Sequence, residues 1–102
     1  MPTAVVLGTG HSVPARVVTN DEFATVMDTS DEWIRTRTGI ESRHWVAPGE
    51  TGVGLGKAAA VEALAMAGLR PAELDAIVYA TISPDHFLPG NGVFLQRQLA
   101  LR

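Results

Sequence analysis

The sequence contains no cysteine, which excludes disulfides and cysteine-based metal sites within this chain. It also has no apolar run long enough to cross a bilayer, which takes about 20 residues. The N-terminus lacks the basic start and uninterrupted apolar stretch of a signal peptide. The expectation is therefore a soluble, cytoplasmic protein with no membrane contact. Charge is sparse as well: 19% of residues are charged against 46% hydrophobic. The net charge of -3 argues against a nucleic-acid partner. A chain of 102 residues amounts to one small domain or a piece of a larger one. So much apolar and small-residue content belongs to a part buried in something bigger.

Familiar chemical motifs are missing too. Gly8-Thr-Gly10 follows the apolar run Ala4–Leu7, but a dinucleotide fingerprint needs a third glycine where Val13 stands. Gly52, Gly54, Gly56 and Lys57 resemble a phosphate loop only superficially. Thr51 occupies the place of its first glycine, and Ala58 the place of its Ser or Thr. These glycines instead permit close packing at a helix start. His11, His44 and His86 show no metal-ligand spacing. Asp85 and His86 form the only local acid–imidazole pair, and adjacent residues rarely face each other. Ser12, Ser30, Ser42 and Ser83 lack a nucleophile-elbow context. No catalytic residue and no metal ligand is assigned.

What is present is an alternation of strand and helix signals. Ala4–Leu7 reads as a buried strand ending in a tight turn. Val17–Thr19 is a short strand, and Asn20 caps a short helix running to Met27. Positions 40–46 form an extended segment. Thr51 opens the longest helix, which runs to Ala67 and ends at Gly68. With only Lys57 and Glu62 charged, it lacks the polar face of a surface helix and should be buried nearly all round, between layers. Pro71 to Leu74 is a turn. Ala76–Ile82 is apolar and β-branched, the pattern of a strand covered on both faces. Helix then buried strand makes a right-handed crossover unit. A loop follows from Ser83 to Pro89, and a last helix starts at Gly90 or Asn91. The pattern points to a layered α/β architecture.

The densest signal lies in Asp28–Ile40. Ser30 is a good N-cap, Asp31 and Glu32 suit the positive end of the helix dipole, and Gly39 supplies a left-handed terminator. Trp33 and Arg37 are four apart and share a face. An indole beside a guanidinium offers a flat ring for a base and a fork for a phosphate. The same residues also suit plainer roles, Trp33 as a core anchor and Arg37 as a solvated end charge. Four of the eight cations, Arg16, Arg35, Arg37 and Arg43, fall in one short region, positions 16–43. Such a basic patch on an acidic chain suits a phosphorylated ligand or an acidic partner, though scatter would also produce it.

Asp28–Trp33, followed by Arg37–Ile40 and Glu41–Arg43, closely resembles the N-terminal part of β-ketoacyl-acyl-carrier-protein synthase III, a condensing enzyme family of the thiolase superfamily. The resemblance runs from Val5 to the end and covers about the first third of the family's usual chain. It implies a thiolase-like layered αβαβα fold, of which residues 1–102 form an incomplete N-terminal half. It also implies acyltransfer from acyl coenzyme A to malonyl-acyl carrier protein, starting fatty acid synthesis. Coenzyme A thioester is then a substrate, and no cofactor is required. Matching the family's motif, Thr29, Trp33 and Arg37 would hold coenzyme A, with Trp33 stacked on adenine.

In the family a cysteine nucleophile works with a His and an Asn. Covalent catalysis splits a difficult carbon–carbon bond formation in two, and backbone N–H groups stabilise the oxyanion. By the resemblance the cysteine lies beyond Arg102. A homodimer is implied, with the loop carrying Phe87 and Leu88 at the acyl pocket of the partner subunit. Well-known members have an aromatic residue where Leu88 stands, so a smaller side chain here would admit a longer or branched primer. Arg16, Arg35 and Arg43 are candidates for attracting the acidic carrier protein. Two other readings stay open: a related condensing enzyme of polyketide or specialised lipid metabolism, and a non-catalytic half-domain.

Overall fold

The computed structural model describes residues 1–101, so the last position of the expected 1–102 unit lies outside the description. The chain divides into two compact units, Val13–Gly49, and Met1–Ser12 together with Glu50–Arg102.

In the Val13–Gly49 unit, Arg16–Thr19 (β1) pairs antiparallel with Ser42–Trp45 (β2), and Val18 stands opposite Arg43. The extended segment expected at 40–46 is thus the second arm of a two-stranded ribbon. Val18 is wholly buried. The short helix that follows, Asn20–Ala24 (α1), differs from expectation at both ends. Its cap is Thr19, whose hydroxyl accepts from the Glu22 amide, because the Asn20 side chain is committed elsewhere. It stops before Met27 because the Thr25 amide and hydroxyl both bond the Glu22 carbonyl and close the turn. Arginines and rings interleave beside it. The Arg16 guanidinium lies 5.2 Å from the Trp45 ring centroid. Trp45 meets Phe23 edge-on at 6.2 Å, and Arg43 covers Phe23 at 4.7 Å.

Asp31–Thr38 (α2) has the predicted ends. Ser30 Oγ accepts from the Trp33 amide, and Gly39 sits at φ 73° with its N–H on the Arg35 carbonyl. Positive φ is where glycine escapes the Cβ penalty.

In the other unit, Gly52–Ala67 (α3) is capped by Thr51, whose hydroxyl accepts from the Gly54 amide, and ends at Gly68 with φ 68°. Its remaining leading amides are satisfied from a distance. Asp85 accepts from the Gly52 and Val53 N–H groups, both at 2.8 Å. Helix N-termini need such partners because their first amides have none within the helix. A single 3₁₀ turn, Pro71–Glu73, precedes the 76–82 run. The last helix, Asn91–Gln98 (α4), starts after Gly90. Val53, Leu95 and Leu99 form the buried cluster, with Ile77, Tyr79 and Phe94 packed against it.

Close packing on α3 explains the glycines. A Cβ on Gly8 would lie 2.3 Å from the Ala63 carbonyl oxygen, and one on Gly10 would lie 2.0 Å from that of Ala59. The Gly8–Gly10 stretch therefore runs directly on the helix backbone, over its alanines. A Cβ on Gly56 would press on the Tyr79 ring at 3.1 Å.

Three expectations fail here for one physical reason. Among the described residues the only strand ladder is β1–β2, so neither Ala4–Leu7 nor Ala76–Ile82 is a paired strand and no crossover unit forms. Ile77 and Tyr79 turn inward, but Val78 is 94% exposed and Ile82 fully so. Likewise α3 buries only Val53 and Leu64, and leaves Val61 and Met66 exposed. A run apolar on every side is buried on every side only when neighbours exist to cover it, and this chain covers one side.

Candidate functional site

The geometry of α2 separates two adjacent side chains. Ile34 is buried and anchors the helix. Trp33 is 54% exposed, so it is not the core anchor. The Arg37 guanidinium lies 4.9 Å from the Trp33 ring centroid, as the four-residue spacing requires. A cation over an indole face is attracted by the ring quadrupole. Beneath the start of the helix, Met27, Asp28, Thr29, Ser30 and Trp33 line an open hollow of about 410 Å³. The Thr29 hydroxyl oxygen is buried and has no hydrogen-bond partner in the protein. A buried polar atom without a partner is uncommon in a folded chain. The three predicted residues are thus placed as a ring, a cation over it, and a residue lining the adjoining hollow whose buried hydroxyl is unpaired. Arg37 itself does not line the hollow.

The other arginines are occupied. Arg16 pairs with Glu22 and Arg35 with Asp31. Arg43 donates to the Asn20 side chain at 2.6 Å and to the Val18 carbonyl at 3.3 Å. They are engaged within the fold, and among the described residues Arg37 is the member of the four that has no such polar partner.

Phe87 and Leu88 belong to the other unit and are almost fully exposed. Their loop contains a cis Leu88–Pro89 peptide. It is tethered by Asn91, whose Oδ1 accepts from the Asp85 and His86 amides. The amides of Val53 and then Gly52 hold the Asp85 carboxyl below its ordinary value of 3.8. Asp85 is therefore a helix cap, and His86 stacks on Phe94 with ring centroids 4.7 Å apart, so the two make no dyad. His11 faces Glu62, and His44 Nδ1 bonds the Pro14 carbonyl at 2.6 Å. Among the described residues no cluster of three potential metal ligands occurs.

Local reading missed Asn20 and Asp85 as structural centres. Their partners lie 11 to 33 residues away, and no local spacing signals that.

No family model matches the chain. A β-ketoacyl-[acyl-carrier-protein] synthase III of Rhodobacter capsulatus is 55% identical over 96 residues, 94% of this chain and 30% of the relative. The chain matches part of a synthase III. It spans about a third of the length of the curated relatives it matches. Solved structures agree. The synthase III of Aquifex aeolicus VF5 superposes with a TM-score of 0.83 at 45% identity, over 92% of this chain and 30% of that one. The priming β-ketosynthase of the R1128 polyketide pathway gives 0.85 at 42% identity, over 93% and 28%. The α/β fold is therefore that of a segment of a thiolase-like synthase III, as the motif implied. No helix of the described residues is long and apolar enough to cross a membrane.

Proposed function

We propose that this chain supplies the adenine and phosphate end of the coenzyme A site in a β-ketoacyl-acyl-carrier-protein synthase III, which condenses an acyl-CoA primer with malonyl-acyl carrier protein to begin fatty acid synthesis. The observation that carries the reading is the exposed Trp33 ring with Arg37 over it, beside the unpartnered Thr29 hydroxyl. The indole face takes the adenine, the guanidinium takes a phosphate through its planar fork, and Thr29 takes a polar group of the ligand. The coenzyme is a substrate, and the reading needs no resident cofactor. The acyl carrier protein is the second partner, and the enzyme works in the cytoplasm as a homodimer. Exposure of Phe87 and Leu88 supports their meeting the acyl pocket of a partner subunit.

The test is steady-state kinetics on the full-length enzyme. Base stacking on an aromatic ring contributes about 1–3 kcal/mol, so Trp33→Ala should raise KM for acyl-CoA by about five- to 150-fold. KM for malonyl-acyl carrier protein should stay within about twofold, since that substrate does not use the site. An unchanged acyl-CoA KM overturns the reading. The likeness to the R1128 priming ketosynthase favours a second reading, priming of a polyketide chain, and the primer accepted by the full-length enzyme separates the two. Leu88→Phe should shift preference toward short primers, and an unaltered primer profile would remove Leu88 from specificity.

A further inference from the structure

We propose that Asn20 is a positioning residue for the ligand-binding face of α2. The proposal rests on the coenzyme A reading and extends it. Asn20 is 1% exposed, and every part of its amide is engaged. One N–H donates to Asp31 Oδ1 at 2.9 Å and the other to the Ile40 carbonyl at 2.8 Å. Its oxygen accepts from Arg43 Nη2 at 2.6 Å, and its backbone N–H donates to the Glu41 carbonyl at 3.2 Å.

These partners have a pattern. Asp31 is the first residue of α2 and Ile40 is the first beyond its Gly39 cap. Arg43 lies on β2. One buried amide therefore ties both ends of α2 to the ribbon. The local caps, Ser30 and Gly39, close the helix but do not orient it. Orientation comes from Asn20 together with the buried Ile34, and with it the placement of Trp33 and Arg37, two and six residues beyond Asp31, and of Thr29, two residues before it. Only an amide of this size offers two donors and an acceptor here. An aspartate would set oxygens against the Asp31 carboxylate and the Ile40 carbonyl while keeping its volume and its bond from Arg43.

The experiment compares variants of the full-length enzyme. Asn20→Asp should raise KM for acyl-CoA by about five- to tenfold, with kcat at saturation and the malonyl-acyl carrier protein KM within about twofold, the split expected when ground-state binding alone is lost. Adding Asp31→Asn places a donor opposite the new carboxylate and should bring the acyl-CoA KM back to within about threefold of wild type. A merely structural role would lower activity toward both substrates alike and would show no such rescue, and that result overturns the proposal. If Asn20→Asp does not fold, Asp31→Ala removes one end of the bridge at a partly exposed carboxylate. Arg35→Ala serves as its control, because Arg35 also contacts Asp31. An acyl-CoA KM raised about threefold by Asp31→Ala and not by Arg35→Ala supports positioning, and equal values overturn it. Trp33→Ala distinguishes the two levels. If it raises the acyl-CoA KM and the Asn20 variant does not, positioning fails and the coenzyme A site stands. If it has no effect, the site itself fails and the proposal with it.

Discussion

The two units of this chain are held in different ways. In Val13–Gly49 polar and stacking contacts gather around the buried Val18 and Ile34. A buried amide gathers three elements, and two arginines lie on rings and bond their neighbours. The other unit relies on apolar packing of α3, α4 and the 76–82 run around Val53, Leu95 and Leu99. That packing covers one side only and leaves Val61, Met66, Val78 and Ile82 in water. Covering apolar surface is worth about 25 cal/mol per Å², so these faces hold unrealised stabilisation. A unit closed by specific hydrogen bonds can present a precise surface such as the Trp33–Arg37 pair. A unit closed by area is a layer, complete only when further layers cover it.

The largest effect that would sharpen this contrast is a cavity in the apolar unit. Leu95→Ala should cost about 2–5 kcal/mol of unfolding free energy in denaturant titration of the full-length protein, without a specific change in acyl-CoA KM. A loss below about 1 kcal/mol, as for a surface site, would mean that this cluster does not hold the unit. Cap removal makes a matched pair next. Ser30→Ala and Thr51→Ala should each cost about 1 kcal/mol, yet on the proposed coenzyme A reading only the first should raise the acyl-CoA KM, because that reading puts the ligand face on α2. Equal kinetic effects would break the distinction between the units.

The smallest effect concerns Asp85. Its folded pKa is depressed by the Val53 and Gly52 amides. A depressed carboxylate contributes stability above its unfolded pKa and loses it as pH falls through the folded value. Asp85→Asn should therefore be less stable than wild type at neutral pH, and the gap should close below pH 3.8. Thermal melts across that range test this, and a gap that persists at low pH would show that the carboxylate charge is not what caps α3.

The legible parts were local ones. Ser30, Gly39, Thr51 and Gly68 mark helix ends because capping is a bond between residues within one turn. Trp33 and Arg37 met because four residues make about one helical turn. Strands were legible as apolar runs at Ala4–Leu7 and Ala76–Ile82, but pairing was not. A ladder needs a partner strand, and periodicity says nothing about whether one is at hand. The arginine cluster was visible as a count, whereas the Glu22, Asp31 and Asn20 contacts that occupy three of its members were not.

The sequence by itself determined the helix boundaries at α2 and α3, the shared face of Trp33 and Arg37, and the resemblance to a condensing enzyme, since each depends on neighbours a few residues apart or on the order of residues alone. Tertiary structure decided the rest. It chose Ile34 over Trp33 for the core, left Thr29 without a partner beside the hollow, turned Asp85 into a distant cap, and buried Asn20 between Asp31, Ile40 and Arg43. Those outcomes depend on which distant groups compete for one buried space, and such competition is settled only when the chain has closed.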